Sequence, residues 1–280
     1  MFYNLGSINL DLVYQVPHFP APGETLMSTD FQRYPGGKGL NQSVAMARAG
    51  ASVVHIGACG LDADFCLQEL SDAGVQLAVD RTRPVSGQGV IYVDPTGENQ
   101  IVLLPAANLE ITSQQISQGL GAMDSQDWLV LQNETNLQVE AAQQARALDA
   151  RVAYSAAPFE SRSLAKILPY VDVVAMNQGE SEQAIQALGS QPEQWGCQVL
   201  ITLGSQGSRF FDGQQWFEQP AIAVEPVDTT GAGDTFFGYF IAHLDQAGPQ
   251  RALKLASQAS AIQITRPGAA SAIPNLDELA

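Results

Sequence analysis

The chain has 280 residues, 45% of them hydrophobic, enough for one large α/β domain or two small ones with a substantial core. Its 29 acidic against 13 basic residues give a formal charge of −16, which argues against nucleic acid or an anionic membrane surface as partner, although a local site can still take an anionic small ligand. The three cysteines (Cys59, Cys66, Cys197) and three histidines are scattered without zinc spacing or a disulfide pattern, no apolar run is long enough to span a bilayer, and a soluble cytoplasmic protein with buried, reduced thiols is expected.

In chain order, the first informative segment is "GSINLD". Asn9 and Asp11 are two apart in a β-rich stretch and share one side of a strand, where an amide and a carboxylate together suit vicinal hydroxyls. Polar pairs on strands are common, so this signal is weak alone. Next, "YPGGKGLNQ" sets three glycines around Lys38 just ahead of a helix closed by Gly50. It is not a P-loop, because Gly39 follows the lysine where Ser or Thr is needed. Either it brings backbone close to a polar ligand, with Asn41 in the first helical turn, or it is a flexible turn with a solvated lysine.

From residue 36 onward short apolar runs alternate with helical periods. "SVVHIGAC", "VQLAV", "DWLVLQ", "RVAYS", "VDVVAMN" and "CQVLITLG" read as strands, with "DFCLQELSDAG", "LQVEAAQQARALDA" and "GESEQAIQALG" as helices between them. That rhythm predicts a mostly parallel sheet with helices on both faces. Two β-rich stretches break it: "SINLDLVYQVPHF" and "QGVIYVDPTGENQIVLL", the second a hairpin turning at Asp94-Pro95-Thr96-Gly97. They form either an edge extension or a lid over the strand ends.

"VVAMNQGES" ends a strand at Asn177, with Glu180 three residues on. The pair either organises water around Mg²⁺ or forms a capping box. "LITLGSQGS" then brings Gly204 and Gly207 to the end of a strand closing at Thr202, a close backbone approach to a ligand. A hairpin, "SRFFDGQQWF", follows where a dinucleotide fingerprint requires a helix, so a dehydrogenase reading fails. Finally, "DTTGAGDTFFGYF" places Gly231, Ala232 and Gly233 in a turn before a helix running to about Ala247. Converging amides there suit a phosphoryl group or oxyanion, with the Asp234 carboxylate placed to take a proton; the alternative is that Asp234 is only an N-cap.

Taken in order, "GSINLD", "GGKGLNQSVAMARAGA", "NQGE", "DTTGAGDTFFGYF" and "ITRPGA" resemble the PfkB-type, ribokinase-like carbohydrate kinases over essentially the whole chain. The resemblance implies an α/β fold, a three-layer α/β/α sandwich with a mostly parallel central sheet, as one domain over 1–280 with a small β-rich lid from about 10–34 and 87–107. It implies an ATP-dependent sugar kinase acting on a primary hydroxyl of a pentose, D-ribose to ribose 5-phosphate. Asp234 would be the base, and the amides of Gly231, Ala232 and Gly233 the anion hole. Asn9, Asp11, Gly37, Lys38, Asn41 and Glu134 would hold the sugar. Asn177, Thr202, Gly204, Ser205, Gly207, Gly233 and Ser257 would line the nucleotide site. Glu180 would act on Mg²⁺ indirectly, and Asp228, Thr230, Gln263, Arg266 and Gly268 would hold a monovalent cation such as K⁺. A homodimer through the lid is the assembly implied.

The chain departs from the family pattern at several points. The hydroxyl expected near the end of the cation site falls on Ser271, one position early, with Ala272 in its place. Ser257 stands where the family places histidine or asparagine over the adenine, "SAAP" where Asn-Pro-Ala-Pro is usual, and "PAAN" where Gly-Ala-Asn is usual. Two rivals stay open: a kinase of another sugar or nucleoside (deoxyribose, a ketohexose, adenosine), and a non-catalytic sugar or nucleotide sensor on the same fold.

Overall fold

A computed structural model describes residues 1–279. The chain opens with strands Phe2–Leu5 (β1), Asn9–Gln15 (β2) and Asp30–Gly36 (β3), then helix Lys38–Arg48 (α1). Strand Val53–Ala58 (β4), helix Asp64–Asp72 (α2) and strand Gln76–Asp80 (β5) precede a hairpin of Gly87–Val93 (β6) and Asn99–Leu104 (β7). Helix Ser113–Gly119 (α3) leads into three strand–helix units: Trp128–Gln132 (β8) with Gln138–Ala147 (α4), Arg151–Ser155 (β9) with Ser161–Ile167 (α5), and Val173–Asn177 (β10) with Gln178–Leu188 (α6). Strands Gln198–Thr202 (β11), Ser208–Phe211 (β12) and Trp216–Gln219 (β13) come before the last two helices, Ala232–Ala247 (α7) and Pro249–Gln263 (α8).

Nine strands form the central sheet in the order β13-β12-β11-β10-β9-β8-β1-β4-β5. Every pairing from β5 across to β11 is parallel, and only the β11–β12–β13 edge runs antiparallel. The parallel strands are buried on both faces, which is why they read as unbroken apolar runs. One face packs under α1, α2, α7 and α8 through Leu40, Val44, Leu70, Phe237, Phe240 and Leu253. The other packs under α3 to α6 through Ile116, Ala141, Leu164 and Ala184. The result is the expected three-layer α/β/α sandwich.

A second sheet, β3-β2-β6-β7, stands apart from the first. It joins the two β-rich stretches by a parallel β2–β6 pairing and closes its hairpin at Asp94–Gly97, where Gly97 N donates to Asp94 O at 3.0 Å. Strand β1 has no counterpart in the elements assigned from sequence, and β3 falls largely within the lid bounds of about 10–34 without having been singled out as a strand. β1 inserts between β8 and β4, a pairing across more than 100 residues that no local pattern reports. The three cysteines are free and buried.

Candidate active site

Helix α7 begins at the carboxyl edge of the central sheet, facing the start of α1. Its N-cap is Gly231, in the left-handed region at φ 77°, which a β-carbon would strain and bring to 3.1 Å from the Ala269 Cβ. The sequence expectation put the three small residues before the helix. Instead Ala232 and Gly233 are its first two residues and Asp234 its third. Asp234 is therefore not the N-cap. Its carboxylate turns away from the helix's own amides and accepts from two side chains of α1: Asn41 Nδ2 on Oδ2 at 3.1 Å and Gln42 Nε2 on Oδ1 at 2.9 Å. Ala232 N already donates to Thr229 O at 3.2 Å, so the anion hole expected from three amides is reduced. The amides of Gly231 and Gly233 have no acceptor among the described residues, and a β-carbon on Gly233 would meet nothing within 4 Å. Open space lies over that glycine.

On one side of this space sits a charged cluster. Lys38, the first residue of α1, is half-buried, and its ammonium is held protonated above the usual lysine range chiefly by Asp234, with Glu134, Glu180 and Asp11 adding to the effect. It is not a solvated lysine on a flexible turn. Glu134 crosses from the loop after β8 to the N-terminus of α1, where its Oε2 accepts from Lys38 N at 3.0 Å and Ser7 Oγ at 2.6 Å. Burial raises its pKa despite those partners and the Lys38 charge. Asp11 lies on β2 against Gly36 and Gly89, where a β-carbon at either would crowd its carboxylate. Burial, reinforced by the charges of Glu134 and Asp234 and opposed by Lys38, pushes the Asp11 carboxyl up to about 7. Asn9, two residues away, is buried and accepts from Asn108 Nδ2 at 2.7 Å. Gly37 is the N-cap of α1 at φ 94°.

Behind Asp234 runs a chain of buried amides. Gln42 Oε1 accepts from Gln132 Nε2 at 2.8 Å, and the same nitrogen donates to Asn4 Oδ1 at 2.8 Å. Asn4 Nδ2 donates to Ser43 Oγ at 2.7 Å and to Gly39 O at 2.8 Å, and Ser43 meets His55 Nδ1 at 2.8 Å. Burial drives the His55 imidazole down to about 4, so it is neutral. Gln42, Gln132, Asn4, Ser43, Ser7 and Asn108 were missed from sequence. They carry no charge, and only their convergence across β1, β8 and α1 marks them.

On the other side of Gly233 opens a cleft of about 610 Å³. Six residues expected at a nucleotide line it: Thr202, Gly204, Ser205, Gly207, Gly233 and Ser257. Its remaining wall is largely apolar, with Ile222, Val224, Phe236 and Ile264 among the lining residues. Asn177 does not line it. Asn177 instead caps α6, accepting from Glu180 N at 2.8 Å while Glu180 Oε2 accepts from Asn177 N at 2.8 Å. That reciprocal box is the structural alternative foreseen for the pair. Glu180 is nonetheless half-buried, its pKa is raised by burial, and it feels both Lys38 and Asp234.

Two ions are implied by the resemblance. Among the described residues, no three His, Cys, Asp or Glu side chains gather as a metal site. Mg²⁺ keeps several waters and binds through phosphates with one or two carboxylates, and the half-buried Glu180 is the carboxylate that the resemblance names for it. The monovalent-cation set does not fit. Asp228 Oδ1 accepts from Thr230 N at 2.9 Å and Oδ2 from Gly268 N at 3.0 Å. The Gln263 carbonyl accepts from Arg266 N at 3.0 Å, and the carbonyls of Thr230 and Gly268 accept from the Gln263 side chain.

Residues 3–276 match the family model described as pfkB family carbohydrate kinase. The chain belongs to that family. It is 34% identical to a ribokinase of Haemophilus influenzae, an alignment covering 98% of this chain and 95% of that one, and 33% identical to a ribokinase of Lactococcus lactis subsp. lactis, covering 98% and 94%. The crystal structure of a ribokinase from Cryptococcus neoformans var. grubii in complex with ADP superposes with a TM-score of 0.84 at 30% identity, covering 99% of this chain and 97% of that one. The protein is accordingly a ribokinase-family sugar kinase, a phosphotransferase with an alcohol group as acceptor. In this kinase the space over Gly233 lies between a charged cluster and a cleft with an apolar wall.

Proposed function

We propose that the kinase transfers the γ-phosphoryl group of ATP to the 5-hydroxyl of D-ribose, with Asp234 as general base. The observation that carries this reading is the position of the Asp234 carboxylate. It is held by two amides of α1, beside Lys38 and beside the open space over Gly233. Asn9, Asp11, Lys38, Asn41 and Glu134 would grip the sugar, and the Thr202–Gly207 segment with Ser257 the nucleotide. The sugar oxygen forms its bond to the γ-phosphorus as the bond from that phosphorus to the β–γ bridging oxygen breaks, and the hydroxyl proton passes to Asp234. Phosphoryl transfer asks mainly for alignment and charge stabilisation. The Gly231 and Gly233 amides at the α7 N-terminus and the Lys38 ammonium supply positive charge where it is needed. Mg²⁺ would supply charge neutralisation of the phosphates when bound, and Glu180 would be the carboxylate that holds it through water.

In this reading the second sheet is a lid that excludes water from the transfer. Its edge strand β7 leaves Ile101, Val102, Leu103 and Leu104 about half exposed or more, which supports pairing of two chains through the lid. No helix among the described residues is long and apolar enough to cross a membrane, which supports a cytoplasmic enzyme.

ADP release measured against a panel of pentoses, hexoses, deoxyribose and nucleosides tests the assignment. Ribose should give the highest kcat/KM, and the product should carry its phosphate on the 5-oxygen. Asp234→Asn should bind ribose and ATP as before yet lose at least about 10²-fold in kcat. A nucleoside or ketohexose preferred to ribose would move the substrate. The absence of any ADP release with every acceptor would leave a sensor on the same fold.

A further inference from the structure

Gln263 ends α8 fully buried, and its side chain reaches away from that helix into the junction between two loops. Its Nε2 donates to Thr230 O at 2.8 Å and to Gly268 O at 3.3 Å. The same junction is laced by the Asp228 carboxylate, which accepts from the amides of Thr230 and Gly268, and by Ile264 O, which accepts from Val227 N at 2.7 Å and Asp228 N at 3.1 Å. Thr230 immediately precedes Gly231, the N-cap of α7. What fixes the Thr230 carbonyl therefore fixes the amides over which the phosphoryl group is proposed to pass.

The resemblance gives this junction to a monovalent cation. Here the two carbonyls converge on an amide nitrogen that belongs to the chain. A primary amide presents two N–H donors, so it serves both oxygens at once without bringing a charge that must be stripped of water. The opposite orientation would set Oε1 against two carbonyl oxygens with no proton between them. The hydrogen-bond network thus determines which atom faces inward, at the expense of leaving Oε1 buried without a partner. A cation taking both carbonyls would have to displace this nitrogen.

We infer that the Gln263 side-chain amide takes the structural place of a bound monovalent cation at this junction, so that the fold and the phosphoryl transfer proceed without K⁺. The transfer part rests on the function proposed above; the fold part does not.

The test compares full-length wild type, Gln263→Ala and Gln263→Glu in KCl, NaCl and tetramethylammonium chloride at matched ionic strength, by thermal unfolding and by ribose-dependent ADP release. Wild type should show the same Tm and the same turnover in all three salts. Gln263→Glu puts a carboxylate against two carbonyls and should lose Tm and turnover in tetramethylammonium chloride, then regain both as KCl is added, with Tm rising with the logarithm of K⁺ concentration. Gln263→Ala opens the same space and should respond in the same direction. The glutamate variant is isosteric, so it keeps the experiment decisive should the alanine variant fail to fold. A wild-type Tm or turnover that rises specifically with KCl overturns the inference, as does a Gln263→Glu variant whose Tm ignores K⁺. A wild type that releases no ADP in any salt counts against the kinase reading alone, because the Tm comparison still decides the fate of the amide.

Discussion

The two sides of the α7 N-terminus use glycine for opposite reasons. On the α1 side, Gly39 and Gly36 are points of contact: a β-carbon on Gly39 would overlap the backbone of Gly6 and Ser7, and one on Gly36 the Asp11 carboxylate. On the cleft side, Gly204 and Gly233 are points of vacancy, with nothing within 4 Å of where a β-carbon would stand. The first side is a packed, cross-linked wall that fixes the Asp234 carboxylate. The second leaves room for a molecule that the chain does not itself fill. The carboxylate is held tightly, and the space lies where the phosphoryl group is proposed to pass.

Alanine substitutions break this comparison most directly. Gly39→Ala must push two backbone segments apart, and overpacking of this kind costs typically 1–3 kcal/mol. For a domain of this size that is a Tm loss of about 2–4 °C per kcal/mol. Gly233→Ala should leave Tm unchanged or raise it, since alanine favours a helix over glycine by about 1 kcal/mol. Its methyl group would nonetheless enter the space proposed for the phosphoryl group, and a displacement of about 1 Å there can cost about 10²-fold in turnover. Calorimetry beside an ADP-release assay reads both. Equal losses of Tm in the two variants would show that the contrast between the sides is unreal.

A smaller effect sharpens the account of the packed wall. Gln42→Leu keeps the approximate volume but removes one of the two donors on Asp234, and it takes away the acceptor that Gln42 Oε1 offers Gln132. A hydrogen bond to a charged group contributes about 1.5–3 kcal/mol. Without it the Asp234 carboxylate is held by Asn41 alone and can leave its position, so kcat should fall about tenfold or more, with the KM for ATP unchanged. A wild-type kcat in this variant would mean that the amide chain behind Asp234 is scaffolding only.

What could be read from the sequence follows from the same division. The buried parallel strands announce themselves as apolar runs, and "DTTGAGDTF" announces a helix start with a carboxylate because glycine, alanine and aspartate have few other reasons to stand together. The choice between cap and base could not be made there. It depends on whether the Asp234 side chain turns to its own helix or to Asn41 and Gln42, nearly 200 residues away in the chain. Asn177 and Glu180 went the other way, their local capping box forming as its spacing suggests. Gln263 was named by the resemblance only as one of the residues around a monovalent cation; its side chain meets Thr230 and Gly268 through contacts that no local pattern encodes.

The least of the expected effects concerns Asp11 and the pH dependence of stability. Its folded pKa, about 7, lies above the ordinary carboxylate value of 3.8 because burial and the Glu134 and Asp234 charges disfavour the ionised form. Between those two values the folded state holds a proton that the unfolded chain has released, so stability falls as pH rises from about 4 to about 7. This contribution is fully lost above the folded pKa. It runs against the usual acid denaturation by paired carboxylates. Asp11→Asn removes the titration while keeping the shape, so the variant should gain stability relative to wild type at pH 8, and the gain should shrink towards pH 5. Ribose donating a hydroxyl to the charged carboxylate would lower the same pKa, so saturating sugar should flatten the wild-type curve and leave that of Asp11→Asn unmoved. A stability difference between the two proteins that is constant across this range would place the Asp11 carboxyl in solvent rather than in the packed wall beside Lys38.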